Sequence, residues 1–316
     1  MKSLIEALKK AKNAAILPHV SADGDAIASS LALGSLLDRY GVPYTIYVEE
    51  PVREDLSFLG GRFAGVPEKL PAVHTAIAVD CGDIFRLADR TPVFEAAEVK
   101  LVIDHHKTNE GFGDICIVDS GASATAEIIA KLFIEADMPF ENAATLLYTG
   151  IVTDTGGFRF SNTTAETHRI AAKLLEAGAE SARVCHEVFE QNSLPKMRLE
   201  AAVLHDMLLT HDGRTALGLV SGKLLAETGA TDEDTSHLSG VLRGLRGVET
   251  GVLLKEQNGQ IKISMRTNQY VDAAAICKAL GGGGHARAAG VSVDGSLDEW
   301  KEKITERIGE AYGRHC

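Results

Sequence analysis

Residues 100–106 read Lys-Leu-Val-Ile-Asp-His-His, a run of buried-strand residues that stops on a carboxylate and two imidazoles. The same design occurs twice upstream. Ala14–His19 (AAILPH) runs out into His19-Val-Ser-Ala-Asp23-Gly-Asp25, and Thr75–Asp80 (TAIAVD) into Asp80-Cys-Gly-Asp83. Short apolar runs without alternation mark strands covered on both faces. Helical patterns separate them. One spans about Ala26–Arg39, is closed by Gly41 and leads to a strand at Tyr44–Val48; others span Ser123–Ala136, Glu141–Thr153 and Thr164–Ala177. The last has Thr-Thr-Ala-Glu (163–166) as a capping signal and Gly178 as a stop. Strands alternating with helices predict an α/β fold with a doubly wound, mainly parallel sheet.

Beyond it, Ser181–Leu209 is helical in pattern, interrupted at Pro195, and reads as an interdomain connection. Strands follow near Thr215–Val220, Val248–Lys255 and Ile261–Arg266. Then come a helix at Val271–Leu280, the run GGGGH, a strand at Ala288–Val293 and a closing helix from Leu297. The expected organisation is a catalytic domain over 1–185, a helical linker over 186–200 and a smaller α/β domain over 201–316, with the active site in the cleft between the domains. A length of 316 residues suits two such cores.

Bulk properties narrow the function classes. Hydrophobic residues make up 45% and charged residues 24%, as in an ordinary globular protein. No stretch approaches the roughly 20 apolar residues of a membrane helix. The N-terminal segment, broken by Glu6, Lys9, Lys10 and Lys12, reads as an amphipathic helix and not a secretion signal, so a cytoplasmic location is expected. The five cysteines (Cys81, Cys116, Cys185, Cys277, Cys316) form no C-x-x-C pair, which argues for free thiols over zinc ribbons or disulfides. A net charge of −12 with no basic stripe argues against a grip on long nucleic acid. A small ligand, held by a few focused cations and metals, fits better.

Three strand ends of one sheet edge must lie close together, and ligands bind there in open α/β sheets. Each acidic or histidine group alone has a bland reading. Asp23-Gly-Asp25 makes an ordinary capping turn, and a lone histidine pair is more often structural. Together the carboxylates would repel and raise one another's pKa, a conflict that divalent cations resolve. Oxygen and imidazole donors suit manganese or magnesium better than a thiolate-loving metal. Asp23 and Asp25, two apart in a loop, can diverge toward different ions, and Asp80 on a central strand can bridge a two-metal phosphoryl clamp. Asp154, in TGIVTDTGGFRF, adds a carboxylate where a helix gives way to a Gly-Gly loop.

The segments HVSADGD, AVDCGD, VIDHHKTN and TGIVTDTGGFRF, in this order, resemble the four motifs of the DHH phosphoesterase superfamily. GGGGHARAAG resembles the glycine-rich signature of the associated DHHA1 domain. The resemblance covers almost the whole chain. It implies His19 and Asp23 at one metal, Asp25, His105 and Asp154 at the other, and Asp80 between both. It also implies His106 on the substrate phosphate, with Asp104 orienting the histidine pair; spacing alone does not decide which of His105 and His106 is the ligand. Two Mn²⁺ are the expected cofactors, with Mg²⁺ or Co²⁺ as alternatives. Gly282, Gly283, Gly284, His285 and Arg266 are the implied substrate contacts in the distal domain. Arg86 and Arg159, beside the metal motifs, are further phosphate-holding candidates, for which a surface salt bridge is the competing reading.

The short two-domain form resembles the nanoRNase group, which cuts RNA oligonucleotides of a few residues and removes the 3′-phosphate from pAp. The expected partners are therefore short oligonucleotides or small nucleotides, with neither long nucleic acid nor membrane. The alternative enzyme is a cyclic- or linear-dinucleotide phosphodiesterase acting on c-di-AMP or pApA. The non-enzymatic alternative is a nucleotide-binding regulator, which a lost metal ligand would favour; none is lost. The amphipathic helix Leu297–Tyr312 fits either core packing or a homodimer contact.

Overall fold

The computed structural model describes residues 1–313, apart from the His285 side chain. The chain divides into two compact units, Met1–Gln191 and Asn192–Cys316. The first carries strands β1 (Ala14–Pro18), β2 (Tyr44–Tyr47), β3 (Phe63–Ala64), β4 (Thr75–Val79), β5 (Val99–Asp104) and β6 (Ile115–Val118). They pair in the order β3-β2-β1-β4-β5-β6, every neighbouring pair parallel. The strand order reverses between β1 and β4, where a doubly wound sheet opens a crevice at its carboxyl edge. Its helices are α1 (Lys2–Lys10), α2 (Gly24–Arg39), α3 (Thr91–Ala96), α4 (Thr125–Glu135), α5 (Ala144–Asp154), α6 (Ala165–Glu176) and α7 (Ser181–Cys185).

Side chains alternate across these strands. Ile16, Ile77, Val79, Leu101 and Ile103 join the large core formed with α2, α4 and α5. Ala15, Leu17, Ala76, Ala78 and Val102 join a smaller core with Leu87, Val93 and Phe94. Both faces are covered, which is why the strands read as unbroken apolar runs. Helix α5 comes close to α2 and α4 at Gly150, where a Cβ would stand 2.5 Å from that of Ala126 and 2.6 Å from Asp25 Oδ1.

The cap of α6 differs in detail from the Thr-Thr-Ala-Glu reading. Thr164 is the N-cap and Thr167 completes the box, each side chain 3.1 Å from the other's backbone nitrogen. Glu166 is drawn off by Arg169, 2.8 Å away. Strands β3 and β6 escaped the sequence reading: β3 has two residues, and β6 lies partly open at the sheet edge.

The second unit holds β7 (Leu208–Thr210), β8 (Thr215–Val220), β9 (Thr250–Gln257), β10 (Gln260–Thr267), β11 (Gly283–His285) and β12 (Ala288–Val293). Their order is β11-β12-β10-β9-β8-β7, and only β8 with β9 is parallel. Helices α8 (Leu194–His205), α9 (Gly222–Thr228), α10 (Leu238–Arg243), α11 (Ala273–Lys278) and α12 (Leu297–Gly313) complete it. Pro195 does not break a helix; it lies in the first turn of α8, behind the Ser193 cap, where no intrahelical N–H bond is lost. The glycine run is partly sheet: Gly283 and Gly284 pair with Gly290 and Ala289 of β12. Helix α12 turns Trp300, Ile304, Ile308 and Tyr312 into the core of this unit, the packing role of the two readings.

Among the described residues no helix is long and apolar enough to cross a membrane. Cys81, Cys116, Cys185 and Cys277 are free; Cys316 lies outside the described residues. Burial pushes the Cys81 thiol up to about 12 and that of Cys277 up to about 11, which leaves both as inert packing groups.

Candidate active site

The carboxyl ends of β1, β4 and β5 are adjacent, so His19, Asp80 and His105 emerge side by side. Asp80 sits at φ +56°, a left-handed conformation costly for a residue with a Cβ, while its N–H still bonds Ile103 O at 2.9 Å. Asp23 does act as a helix cap: its Oδ1 accepts from the Asp25 and Ala26 amides, each at 3.1 Å. That bland role does not remove it from the cluster. The same oxygen lies 3.8 Å from His19 Nε2, whose other neighbour is Asp80 Oδ2 at 3.6 Å.

A second group forms beside the first. His105 Nε2 lies 3.6 Å from Asp80 Oδ1 and 3.4 Å from Asp154 Oδ2. Asp25, His105 and Asp154 each offer a donor atom within 4.8 Å of the others, as do His19, Asp23 and Asp80. Asp80 thus turns one oxygen to each histidine. His106 differs from its neighbour, because its Nδ1 is bonded to Asp104 Oδ1 at 2.7 Å. It also belongs to a further candidate group with Asp80 and His105.

Several supporting residues were not visible in the sequence motifs. Thr125 Oγ1 donates to Asp80 Oδ1 at 2.8 Å. Asp25 caps the start of α4 from a distant helix: it accepts from the Thr125 amide at 2.6 Å, the Ala126 amide at 2.9 Å and Ser29 Oγ at 2.9 Å. The orphan amides of a helix N-terminus and its dipole favour a carboxylate there. Asn109 Nδ2 donates to Asp104 Oδ2 at 2.8 Å and to Cys81 O at 3.0 Å, tying the β5 end to the turn after β4. The Asn in VIDHHKTN is the one available signal, but no spacing rule gives it this task.

The electrostatics are those of crowded acids. Burial, with the nearby Asp80 charge, pushes Asp25 up to about 7. Burial and the charges of Asp25 and Asp80 push Asp154 up to about 9. Burial and Asp23 raise Asp80 as well. Although burial opposes it, the contact with His19 holds Asp23 down to about 2. His19 and His105 are raised against their burial by the carboxylates they face. These carboxylates cannot all ionise without added positive charge, and the imidazole nitrogens face them at 3.4–3.8 Å, too far for hydrogen bonds. Oxygen and nitrogen donors that are this close and short of cations fit divalent metal ions.

The arginine candidates lie on this unit's surface. Arg86 Nη2 stands 2.7 Å from His19 Nδ1 and donates to Val20 O at 3.3 Å. His19 Nδ1 also lies 2.7 Å from that carbonyl, while Nε2 faces Asp23 and Asp80. Arg159 donates through Nε to Gly156 O at 2.6 Å and lies 6.0 Å from the Phe189 ring centroid.

In the second unit, Arg266, Gly283 and Gly284 line one hollow of about 280 Å³, together with Ser236, Ser239 and Ser264. No carboxylate pairs with Arg266 among the described residues, and burial and neighbouring Arg243 disfavour its charged form. Such a hollow suits an anion. Gly283 is open on the side where a Cβ would be, whereas at Gly282 a Cβ would stand 2.4 Å from Gly290 O. At Gly284 it would stand 2.5 Å from Ala288 O, so both positions leave no room for a side chain. The His285 side chain lies outside the described residues.

A crevice at the strand-order reversal, ringed by aspartates and histidines, is a candidate site for divalent-metal chemistry. The chain belongs to the DHH family: the "DHH family, N-terminal domain" model matches residues 13–151 and the "DHHA1 domain" model residues 217–310, and the chain is a hydrolase of the phosphoesterase class. It is 36% identical to the bifunctional oligoribonuclease and PAP phosphatase NrnA of Thermus thermophilus, covering 95% of this chain and 90% of that protein. The Bacillus subtilis protein of the same name is 28% identical, with 87% of each chain covered. Among solved structures, an exopolyphosphatase-related protein from Bacteroides fragilis has the same fold, with a TM-score of 0.91 at 24% identity and coverage of 98% and 96%.

Proposed function

We propose that this chain is a two-metal phosphoesterase that uses manganese to cleave short RNA oligonucleotides to mononucleotides and to remove the 3′-phosphate of pAp. The observation that carries this reading is the position of Asp80, with one oxygen toward His19 and the other toward His105. We assign His19, Asp23 and Asp80 to one ion, and Asp25, His105, Asp154 and Asp80 to the other. Oxygen and imidazole donors without thiolate suit Mn²⁺, with Mg²⁺ and Co²⁺ as substitutes. A pair of such ions supplies Lewis-acid stabilisation of phosphoryl oxygens and a water acidic enough to attack near neutral pH.

The chain's own groups do the remaining work. Thr125 fixes the rotamer of Asp80, and the α4 amides fix Asp25. The Asp104 hydrogen bond raises His106, which favours an imidazolium whose second nitrogen can donate to a non-bridging phosphate oxygen. Arg266, Gly283 and Gly284 receive a substrate phosphate in the distal hollow, and Gly282 and His285 join them on the sequence pattern alone. Arg86 and Arg159 flank the metal cluster as further phosphate contacts. The substrate choice is supported by the oligoribonuclease and PAP phosphatase names of relatives aligned over nearly their full length. A cytoplasmic location follows from such substrates.

The test is a parallel assay on a ribo-trinucleotide, pAp and c-di-AMP, with chelator and then with Mn²⁺, Mg²⁺ or Co²⁺. Manganese-restored turnover of the first two is expected. Exclusive turnover of the cyclic dinucleotide would overturn the substrate choice. Binding without turnover of any would make the chain a nucleotide-binding regulator.

A further inference from the structure

The loop after Asp154 has an unusual backbone. Gly156, Gly157 and Phe158 stand at φ +57°, +70° and +64°, three successive left-handed residues, the last with a Cβ to strain. The turn sends neighbouring aromatic residues in opposite directions. Phe158 goes inward, stacked on His168 (ring centroids 5.1 Å apart) and tilted against Tyr148 at 6.1 Å. Phe160 goes outward, with 45% of its surface exposed and its ring lying on Gly156, where a Cβ would be 2.4 Å away. A Cβ on Gly157 would stand 3.6 Å from the Phe189 ring, and Arg159 lies over that ring. The loop is tied to the metal cluster, since Asn162 Nδ2 donates to Asp154 O at 3.1 Å and the Phe160 amide to Thr155 O at 3.0 Å. Two partly exposed aromatic rings and a guanidinium thus gather at a hydrogen-bonded loop that starts directly after a candidate metal ligand.

Exposed rings beside a cation are what single-stranded nucleic acid needs, because every base has a face to stack and its phosphate a charge to meet. We infer that Phe160, supported by Arg159 and Phe189, is a base-stacking platform for a nucleotide adjoining the scissile phosphate of a short oligonucleotide. This rests on the phosphoesterase reading above and adds to it a specificity position in the first unit. It explains the Gly-Gly pair: a side chain at Gly156 would push the Phe160 ring off the backbone beside Asp154.

The test is a chemical double-mutant cycle. Wild type, Phe160→Ala and Phe160→Trp are compared on a ribo-trinucleotide and on analogues in which one base at a time is replaced by hydrogen. One analogue should cost the wild type roughly tenfold to a hundredfold in kcat/KM, the range of base–aromatic stacking. Phe160→Ala should lose a similar factor on the intact trinucleotide and no longer distinguish that analogue, while Phe160→Trp restores the discrimination. If Phe160→Ala lowers intact and abasic substrates equally, Phe160 is a packing position and the inference falls. It falls as well if the wild type cleaves the trinucleotide without noticing any missing base. If the wild type cleaves no trinucleotide at all, the substrate reading itself is lost, an outcome distinct from the other two.

Discussion

The strand-end cluster of the first unit and the hollow of the second are opposite solutions to one problem. The cluster gathers Asp23, Asp25, Asp80 and Asp154, and although the first three accept hydrogen bonds, burial and mutual repulsion push Asp25, Asp80 and Asp154 toward neutrality. The hollow gathers Arg266 near Arg243 with the open backbone of Gly283 and serine hydroxyls, and burial disfavours its cation. Each is electrostatically incomplete, the first lacking positive charge and the second negative. On the function proposed above, metal ions complete one and a substrate phosphate the other. A folded protein that holds both in frustrated form is storing binding energy for ligands of opposite sign.

The sharpest way to break this contrast is to remove a charge from the acidic side. Asp80→Asn keeps the shape but gives up an anionic donor to both proposed ions. Turnover should fall by at least about 10³-fold, the upper range for losing a single transition-state donor. Stability should move the other way. Without metal, loss of one repelling charge should raise the melting temperature by roughly 2–4 °C for each 1 kcal/mol of relief. The gain that Mn²⁺ confers on the wild type by binding the native state should shrink. Thermal melts with and without Mn²⁺ check this; a destabilised metal-free variant would mean that Asp80 is a structural anchor and the cluster is not frustrated.

The basic side should answer less strongly. Arg266→Ala removes charge-assisted hydrogen bonds to a substrate phosphate, a loss of about 1.5–3 kcal/mol, or roughly tenfold to a hundredfold. The effect should fall mainly on KM, and Mn²⁺ affinity should be unchanged. A kcat defect with normal KM would place Arg266 at the reacting phosphate and dissolve the division of labour between the two regions.

The two regions also differ in how legible they were. The acidic cluster could be read because its residues terminate buried strands, and a parallel sheet brings strand ends together whatever lies between them. Topology translated His19, Asp80 and His105 directly into neighbours. What could not be read were groups placed by packing. Thr125 reaches Asp80 from the start of α4, and Asp25 caps that helix across 100 residues of sequence. In the distal unit Arg266, Gly283 and Gly284 do share one hollow, but the close fit of Gly282 on Gly290 and the pairing of part of the run as an edge strand could not be read. A glycine's sequence position does not say which of its faces is crowded. The serines of the hollow had no motif at all.

Asn109 probes the smallest element of the contrast, a carboxylate of the acidic side whose hydrogen bonds outweigh its burial. Burial opposes the ionisation of Asp104, yet the His106 and Asn109 hydrogen bonds hold its carboxyl below the usual range. Asn109→Ala removes one neutral donor from a charged acceptor and should cost roughly threefold to tenfold in kcat, with metal affinity intact. Asn109→Asp is the harsher change, because it sets two carboxylates face to face where an amide had joined them. If His106 works through the orientation that Asp104 imposes, the aspartate variant must lose far more activity than the alanine variant. Equal losses would mean that Asn109 matters only for its bond to Cys81 O, and that His106 keeps its position by packing alone.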